Sequence, residues 1–260
     1  MSPASTMQPM PVKLSVNLNK VALLRNQRDV GYPGVVDAAR MVVAAGAHGI
    51  TVHPRPDERH IRRSDVVELA ALIGAELDPA IELNIEGYPS DDFLGLIREV
   101  GPTQVTLVPD MPDQKTSDHG WDVGKDAGLL ADLIGALKQS GARISLFMDP
   151  EPAAIPAAAS LGADRIELYT GPYAEAFAEG GAAVLLRRYA QAAEAAQAAG
   201  LGVNAGHDLN LDNLPAFCAA LPQLAEVSIG HAITADALRL GFPAAVEAYL
   251  RAIRRISLAA

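Results

Sequence analysis

The chain has a single cysteine, Cys218, in 260 residues, so no disulfide can close within it. Such cysteine poverty suits a reducing cytoplasm, and a cytoplasmic location is the expectation. No apolar run approaches the ~18–20 residues that a membrane-spanning helix needs. Positive charge is in short supply: 21 Lys and Arg stand against 31 Asp and Glu, a net charge of −10. That argues against nucleic acid or an anionic membrane surface as a general partner, while leaving room for a locally cationic phosphate site. Residues 14–255 contain no linker and no low-complexity segment. Residues 1–13 carry Pro3, Pro9 and Pro11 without an apolar stretch, and read as a disordered lead-in.

What is present is one unit repeated. Short β-rich runs fall at Leu14–Lys20, Gly49–Pro54, Ile81–Glu86, Gln104–Pro109, Arg143–Met148, Arg165–Thr170, Gly202–Gly206 and Ala225–His231. Each precedes an Ala/Leu-rich helical pattern: Pro33–Ala45, Ser64–Glu76, Ser90–Val100, Ala127–Ser140, Pro152–Leu161, Tyr173–Ala199, Asp212–Ala220 and Thr234–Arg254. Gly46, Gly141, Gly162 and Gly200 read as helix stops before a strand. Eight consecutive βα units predict a single-domain (β/α)8 barrel. The rival is a doubly wound open sheet, which often carries a Gly-rich phosphate loop after its first strand. Here that position reads Asn17-Leu18-Asn19-Lys20, with no GxGxxG or P-loop.

Alternation within the strands assigns two faces. Val16, Ile50, Val52, Leu83, Ile85, Val105, Leu107, Ile144, Leu146, Ile166 and Leu168 should pack under the helices. Ser15, Asn17, Thr51, His53, Glu82, Asn84, Glu86, Thr106, Ser145, Glu167, Asn204 and Ser228 should point into the barrel. So polar an interior demands either a satisfied hydrogen-bond network or a deep, hydrated active site. The second is favoured, because the polar set is richest at strand C-termini, where barrel enzymes place their chemistry.

Histidine placement supports that rim. Of six histidines, His53, His60, His119, His207 and His231 fall at or after strand C-termini, and only His48 precedes a strand. Glu86 ends the third strand beside His53, as a general base, an orienting group or an ion-pair partner. Arg25, Arg28, Arg55, Arg59, Arg62 and Arg63 follow the first two strands. Arginine recognises phosphate with planar, multidentate geometry, and Arg28 and Arg55 are the preferred candidates. Gly206 and Gly230 either let backbone N–H groups approach an anion or relieve crowding at a barrel corner. The polar stretch Asp110–Asp126 reads as a lid over the rim.

Several chemistries recede. A Schiff-base aldolase needs a lysine inside the barrel, and of five lysines only Lys20 lies at a strand end. Metal-dependent barrel hydrolases favour His-x-His on the first strand, where this chain has Asn17-Leu18-Asn19. A metal on His53, Glu86 and His207 stays geometrically thinkable, but no metal and no cofactor is the expectation. Cys218 falls on the helix after the seventh strand, away from the rim, so a thiol nucleophile is not expected.

An ordered set of motifs spans residues 14–253. It comprises Asn17 with LLRNQR (Leu23–Arg28), GITVHPRPDERHI (Gly49–Ile61), NIE (Asn84–Glu86) and LVPD with Thr116. It continues with ELYTGPYAEA (Glu167–Ala176), GVNAGHDL (Gly202–Leu209) and SIGHA (Ser228–Ala232). This set resembles the pyridoxine 5′-phosphate synthase family of vitamin B6 biosynthesis. The resemblance implies condensation of 3-amino-2-oxopropyl phosphate with 1-deoxy-D-xylulose 5-phosphate, giving pyridoxine 5′-phosphate, inorganic phosphate and water. It implies proton acceptors at His53 and Glu86 and a proton donor at His207. It places amino-ketone-phosphate ligands at Asn17, Arg28, Asp208, Gly230 and His231, and deoxyxylulose-phosphate ligands at Arg55, His60 and Thr116. It also implies a homo-octamer built from dimers. The chain departs from the family at two sites. Many members have Asp-His where this chain has Asn19-Lys20, so the deoxyxylulose-phosphate contact there changes, and Lys20 is expected to supply direct charge to a phosphate. Asp208 replaces a common glycine and is expected to serve through its backbone N–H. The alternatives on the same scaffold are a phosphosugar isomerase or a non-catalytic phosphate-binding barrel. An isomerase would need one phosphate substrate and one base.

Overall fold

The computed structural model describes residues 11–110, 114 and 116–254. Eight parallel strands close into a barrel: β1 Lys13–Asn17, β2 Gly49–Val52, β3 Glu82–Gly87, β4 Gln104–Leu107, β5 Arg143–Met148, β6 Arg165–Tyr169, β7 Gly202–Gly206 and β8 Leu224–Ile229. They run in sequence order, and β8 returns to pair with β1 through Ser228 opposite Ser15. Around them lie α1 Asn19–Arg25, α2 Val35–Ala44, α3 Arg63–Ala75, α4 Asp91–Val100, α5 Ala127–Lys138, α6 Ile155–Ser160, α7 Gly171–Ala178, α8 Ala183–Ala198, α9 Leu214–Ala220, α10 His231–Leu240 and α11 Phe242–Arg254. The architecture is the (β/α)8 barrel that the repeat predicts. No described helix is long and apolar enough to cross a membrane.

Helix boundaries follow local chemistry. In α4, the Ser90 hydroxyl accepts from the Phe93 N–H at 3.3 Å, and Gly101 ends the helix with φ +59°. Such a cap contributes about 1 kcal/mol. Phe93, Leu94, Leu96 and Ile97 form its buried stripe. The four predicted stop glycines, Gly46, Gly141, Gly162 and Gly200, all adopt positive φ.

The structure corrects the sequence reading at several element boundaries. The first strand ends at Asn17 and not Lys20, because the Asn17 side-chain carbonyl accepts the Asn19 N–H at 2.9 Å and turns the chain into α1. Asn19 and Lys20 therefore open a helix. The eighth strand ends at Ile229, so His231 opens α10. The helical stretch 173–199 is two helices, broken at Gly180 with φ +80°, and 234–254 is two helices, broken at Gly241 with φ +80°. β1 includes Lys13, one residue before the expected start. The rest of the lead-in lies outside the described residues, apart from Pro11 and Val12.

The two strand faces are as the alternation assigns them. Val16, Ile50, Ile85, Val105, Ile144 and Ile166 are fully buried in the hydrophobic layer beneath the helices. Inside the barrel, Ser15 Oγ and Thr51 Oγ1 share a hydrogen bond at 2.7 Å. Asn84 donates to Thr51 Oγ1 at 3.4 Å and Thr106 donates to Asn84 at 3.0 Å. Below this lies an ionic layer. Glu82 pairs with both Lys13 and Arg143, Arg143 donates to Gln104 at 3.0 Å, and Arg165 donates to Asn204 at 2.9 Å. Asn204 donates in turn to Glu226 at 3.4 Å. The barrel floor is thus a largely satisfied polar network, and the open space lies above it. Both readings of the polar interior hold, at different depths.

Candidate active site

The β2, β3, β6, β7 and β8 exits surround a cavity of about 300 Å³ at the C-terminal mouth of the barrel. Asn17, His53, Glu86 and His207 line its floor and walls, with Asn19 and Lys20 from α1. Arg55, His60 and Thr116 line the side formed by the loops after β2 and β4, and Asp208, Gly230 and His231 the side after β7 and β8. All but one of the site residues named from the sequence therefore meet at one cavity. Arg28 is exposed in the turn after α1 and does not reach it. His119 is also exposed, paired with Asp118, and lies apart from the cavity.

His53 follows β2 directly. Its N–H donates to Asn19 Oδ1 at 2.9 Å, which ties the mouth of β2 to α1. Its Nδ1 lies 3.9 Å from Glu86 Oε2, too far for a hydrogen bond, and Asn17 Nδ2 reaches the same carboxyl oxygen at 3.4 Å. Burial, reinforced by Arg55, lowers the His53 pKa well below its usual value. Burial, together with the Asp110 charge, raises Glu86 to about 8, against an opposing pull from Arg55. An imidazole biased toward its neutral form thus faces a carboxyl biased toward its protonated form, and the two do not form a hydrogen-bonded ion pair.

His207 follows β7, and both it and Asp208 have positive φ, +77° and +56°. Two successive left-handed residues curl the backbone, a geometry that can gather N–H groups toward an anion. Asp tolerates this region better than most residues, which fits an Asp where glycine is common. Asn213 Nδ2 holds the Asp208 carbonyl at 3.1 Å. The His207 ring packs on Phe147 and Tyr169, with centroids at 5.0 and 5.7 Å, and its Nδ1 has no hydrogen-bond partner among the described residues. Burial lowers its pKa, with Asp208 and Asp110 opposing.

Gly230 caps α10, so the N-terminus of a 10-residue helix lies at the cavity, lined there by Gly230, His231 and Ala232. A helix N-terminus carries partial positive charge and free N–H donors, the pattern suited to phosphate. Opposite, His60 sits in a loop clamped from α1. Arg25 pairs with Asp65 and donates to the His60 carbonyl at 3.2 Å, and Asn26 donates to the same carbonyl at 2.8 Å. Arg25 is therefore a structural member of the arginine set. Burial, then Arg55, lowers His60 to about 4.

Glu167 was placed inside the barrel by alternation but not among the site residues. It lines the cavity, buried, with Oε2 unpartnered among the described residues. Burial and the neighbouring Glu86 raise its pKa well above the carboxylate range. Its signal in the sequence was the same inward parity as Glu86, at the start of ELYTGPYAEA. Tyr169, Ser117 and Ser228 also line the cavity. The Asp110–Asp126 stretch is anchored at its far end. The Trp121 N–H donates to the Phe147 carbonyl at 2.9 Å, and Nε1 to the Leu107 carbonyl at 2.9 Å. Residues 111–113 and 115 of the expected lid lie outside the described residues. Cys218 lies buried in α9, its thiol pushed up to about 12 by burial. Among the described residues, no group of three or more His, Cys, Asp or Glu side chains is arranged to hold a metal ion.

A barrel whose mouth gathers buried histidines, buried carboxyls, a helix N-terminus and cationic side chains has the make-up of an acid–base enzyme for anionic substrates. Comparison with known proteins places it further. Residues 14–255 match the family described as "Pyridoxal phosphate biosynthesis protein PdxJ", and the chain belongs to this family. It is 57% identical over 244 residues to the pyridoxine 5′-phosphate synthase of Mesorhizobium japonicum, covering 94% of this chain and 99% of that protein. It is 55% identical over 245 residues to that of Brucella anthropi, covering 94% and 100%. Among solved structures, Mycobacterium tuberculosis tryptophan synthase superposes with TM-score 0.63 at 14% identity, over 94% of this chain and 93% of that one. A phosphoribosyl anthranilate isomerase superposes with TM-score 0.56 at 12% identity, over 94% and 98%. These last likenesses concern the fold alone.

Proposed function

We propose that this chain catalyses the pyridoxine 5′-phosphate synthase reaction, joining 3-amino-2-oxopropyl phosphate to 1-deoxy-D-xylulose 5-phosphate. The observation that carries the reading is the meeting of His53, Glu86 and His207 at one cavity with anion-recognising groups on two sides. In the reaction an amine attacks a ketone, water and phosphate leave, and several C–H protons move. Repeated proton transfer suits buried histidines and a carboxyl poised near neutrality. Burial favours the protonated form of Glu86. The cationic amine of the amino ketone favours the carboxylate, so substrate entry makes Glu86 a base. His53 accepts protons beside it. His207, across the mouth, acts as donor.

The amino-ketone phosphate is assigned to the Gly230–His231 helix start with Asn17 and Asp208. The pentose phosphate is assigned to Arg55, His60 and Thr116, with Lys20 adding a charge. Lys20 is half-buried in the cavity wall and makes no ion pair among the described residues, which leaves its ammonium available. Arg28 lies outside the cavity, so its assignment to the amino-ketone phosphate rests on the family resemblance alone. The reading includes a cytoplasmic homo-octamer of dimers. Leu24, Val30, Tyr32, Leu238 and Leu240 are exposed apolar side chains that such assembly would cover. Supplying the two substrates together and separately tests the function: product requires both. Isomerisation of the pentose phosphate alone would favour the isomerase reading.

A further inference from the structure

Asp110 follows β4 and has no part in the roles assigned above. Its carboxyl group is buried and pairs with the guanidinium of Arg55. Ser117 Oγ donates to its Oδ2 at 2.7 Å, and Arg55 Nη1 donates to the Gln114 carbonyl at 3.0 Å. Oδ1 is buried without a hydrogen-bond partner among the described residues. Asp110 and Arg55 also form part of the wall of a second cavity, about 760 Å³, that adjoins the catalytic one at His53 and Arg55. The pair therefore stands where the two spaces meet.

We propose that Asp110 is a positioning residue of the reaction: it fixes the Arg55 guanidinium in the cavity wall as a preset donor for the pentose phosphate. This rests on the proposed role of Arg55. A free arginine samples many rotamers, and a buried carboxylate partner removes that freedom before substrate arrives. Among the described residues, the charged or titratable groups that act on Glu86 or share its cavity are His53, Arg55 and His60 from the β2 exit, Lys20 on α1, Asp110 at the β4 exit, Glu167 on β6, His207 and Asp208 after β7, Glu226 on β8 and His231 on α10. Among the charges that act on Glu86, Asp110 is the largest that raises its proton affinity. Asp110 thus links phosphate recognition to the proton state of the cavity.

The test is steady-state kinetics of Asp110→Asn with the pentose phosphate varied, plus the pH profile of kcat/KM. Loss of one charge-assisted contact predicts a KM increase of ~10-fold. With Asp110 replaced by Asn, Glu86 gives up its proton more readily, so the limb that reports Glu86 moves to lower pH. Asp110→Glu should restore both. Unchanged KM and an unmoved limb in Asp110→Asn overturn the proposal, even if the variant melts earlier. Should Asp110→Asn fail to fold, with Arg55 stranded as a buried charge, the Arg55→Gln/Asp110→Asn pair replaces it. Its KM should match that of Arg55→Gln alone, since the two side chains act as one unit. Independent, multiplying losses overturn the proposal. Arg55→Gln alone separates the cases. If it binds the pentose phosphate normally, the Arg55 assignment itself fails. If it is impaired while Asp110→Asn is normal, only the Asp110 proposal fails.

Discussion

Gly206, the last residue of β7, stands where a Cβ would lie 2.3 Å from Oε1 of Glu167 on the neighbouring strand. The absent side chain is what lets a buried carboxyl occupy the barrel mouth below His207. Crowding accounts for this glycine; at Gly230, the N-cap of α10, a Cβ would lie 3.1 Å from Asn17, a milder crowding. Gly206→Ala should destabilise the protein by roughly 1–3 kcal/mol through overpacking, and Glu167→Ala should relieve most of that in the double variant. Urea unfolding of the three variants checks the coupling. Additive losses would show that Glu167 is not the clashing group.

Glu86→Gln should separate stability from activity. In the wild type, the folded protein keeps the Glu86 proton to about pH 8, while the unfolded chain releases it near the ordinary glutamate value of about 4.3. The raised group thus contributes stability fully present below that lower value and lost as pH rises toward 8. Glutamine has no proton to lose. The variant should therefore gain on the wild type steadily from about pH 5 to pH 8 in unfolding experiments, while turnover falls by ~10²–10⁴-fold. Parallel stability curves across that window would contradict the buried, proton-holding Glu86.

His60 should titrate far below an exposed histidine. Its lowered value, about 4, means that the folded state resists protonation. Its stabilising contribution is present above the unfolded value of about 6.5 and lost as pH falls toward 4. Histidine NMR in the ligand-free protein reads this directly. A midpoint near 6.5 would mean the loop clamped by Arg25 and Asn26 does not bury the ring.

Much of this arrangement was legible in the chain. Period-2 alternation is rigid in a strand, so the inward set from Ser15 to Ser228 could be read without coordinates. Strand-to-helix boundaries were less legible at Asn17 and at Gly230. At the first, a side chain turns the backbone into α1; at the second, strand and helix patterns overlap. Spacing, which prefers Arg28 and Arg55, does not decide among the arginines, because pairing sets their roles: Asp65, 40 residues on, makes Arg25 structural. Asp110 and Glu167 were missed as site residues for the same reason. Each matters through a partner that only the closed barrel brings near.

Lys20→Ala should raise KM for the pentose phosphate by about 10-fold and flatten its salt dependence, because an unpaired ammonium is a screened point charge. KM measured at low and high salt checks this. An unchanged value would leave the Asn19-Lys20 departure without consequence for binding.

His207→Asn should bind both substrates, since phosphate recognition rests on other groups, and lose ~10²–10⁴-fold in turnover. Rapid-quench mass spectrometry should then show an accumulating adduct of the two substrates. Near-normal turnover, or weakened affinity alone, would reduce His207 to a binding residue.

The donor geometry predicts that exhaustive chelation leaves activity intact. Loss of activity restored by one added divalent ion would contradict it.

The most direct measurement of the central claim is product and phosphate balance in a purified two-substrate reaction. The account predicts one pyridoxine 5′-phosphate and one inorganic phosphate per pair consumed, both abolished together in His53→Asn. Consumption of a single substrate, or phosphate release without the pyridine product, would contradict it.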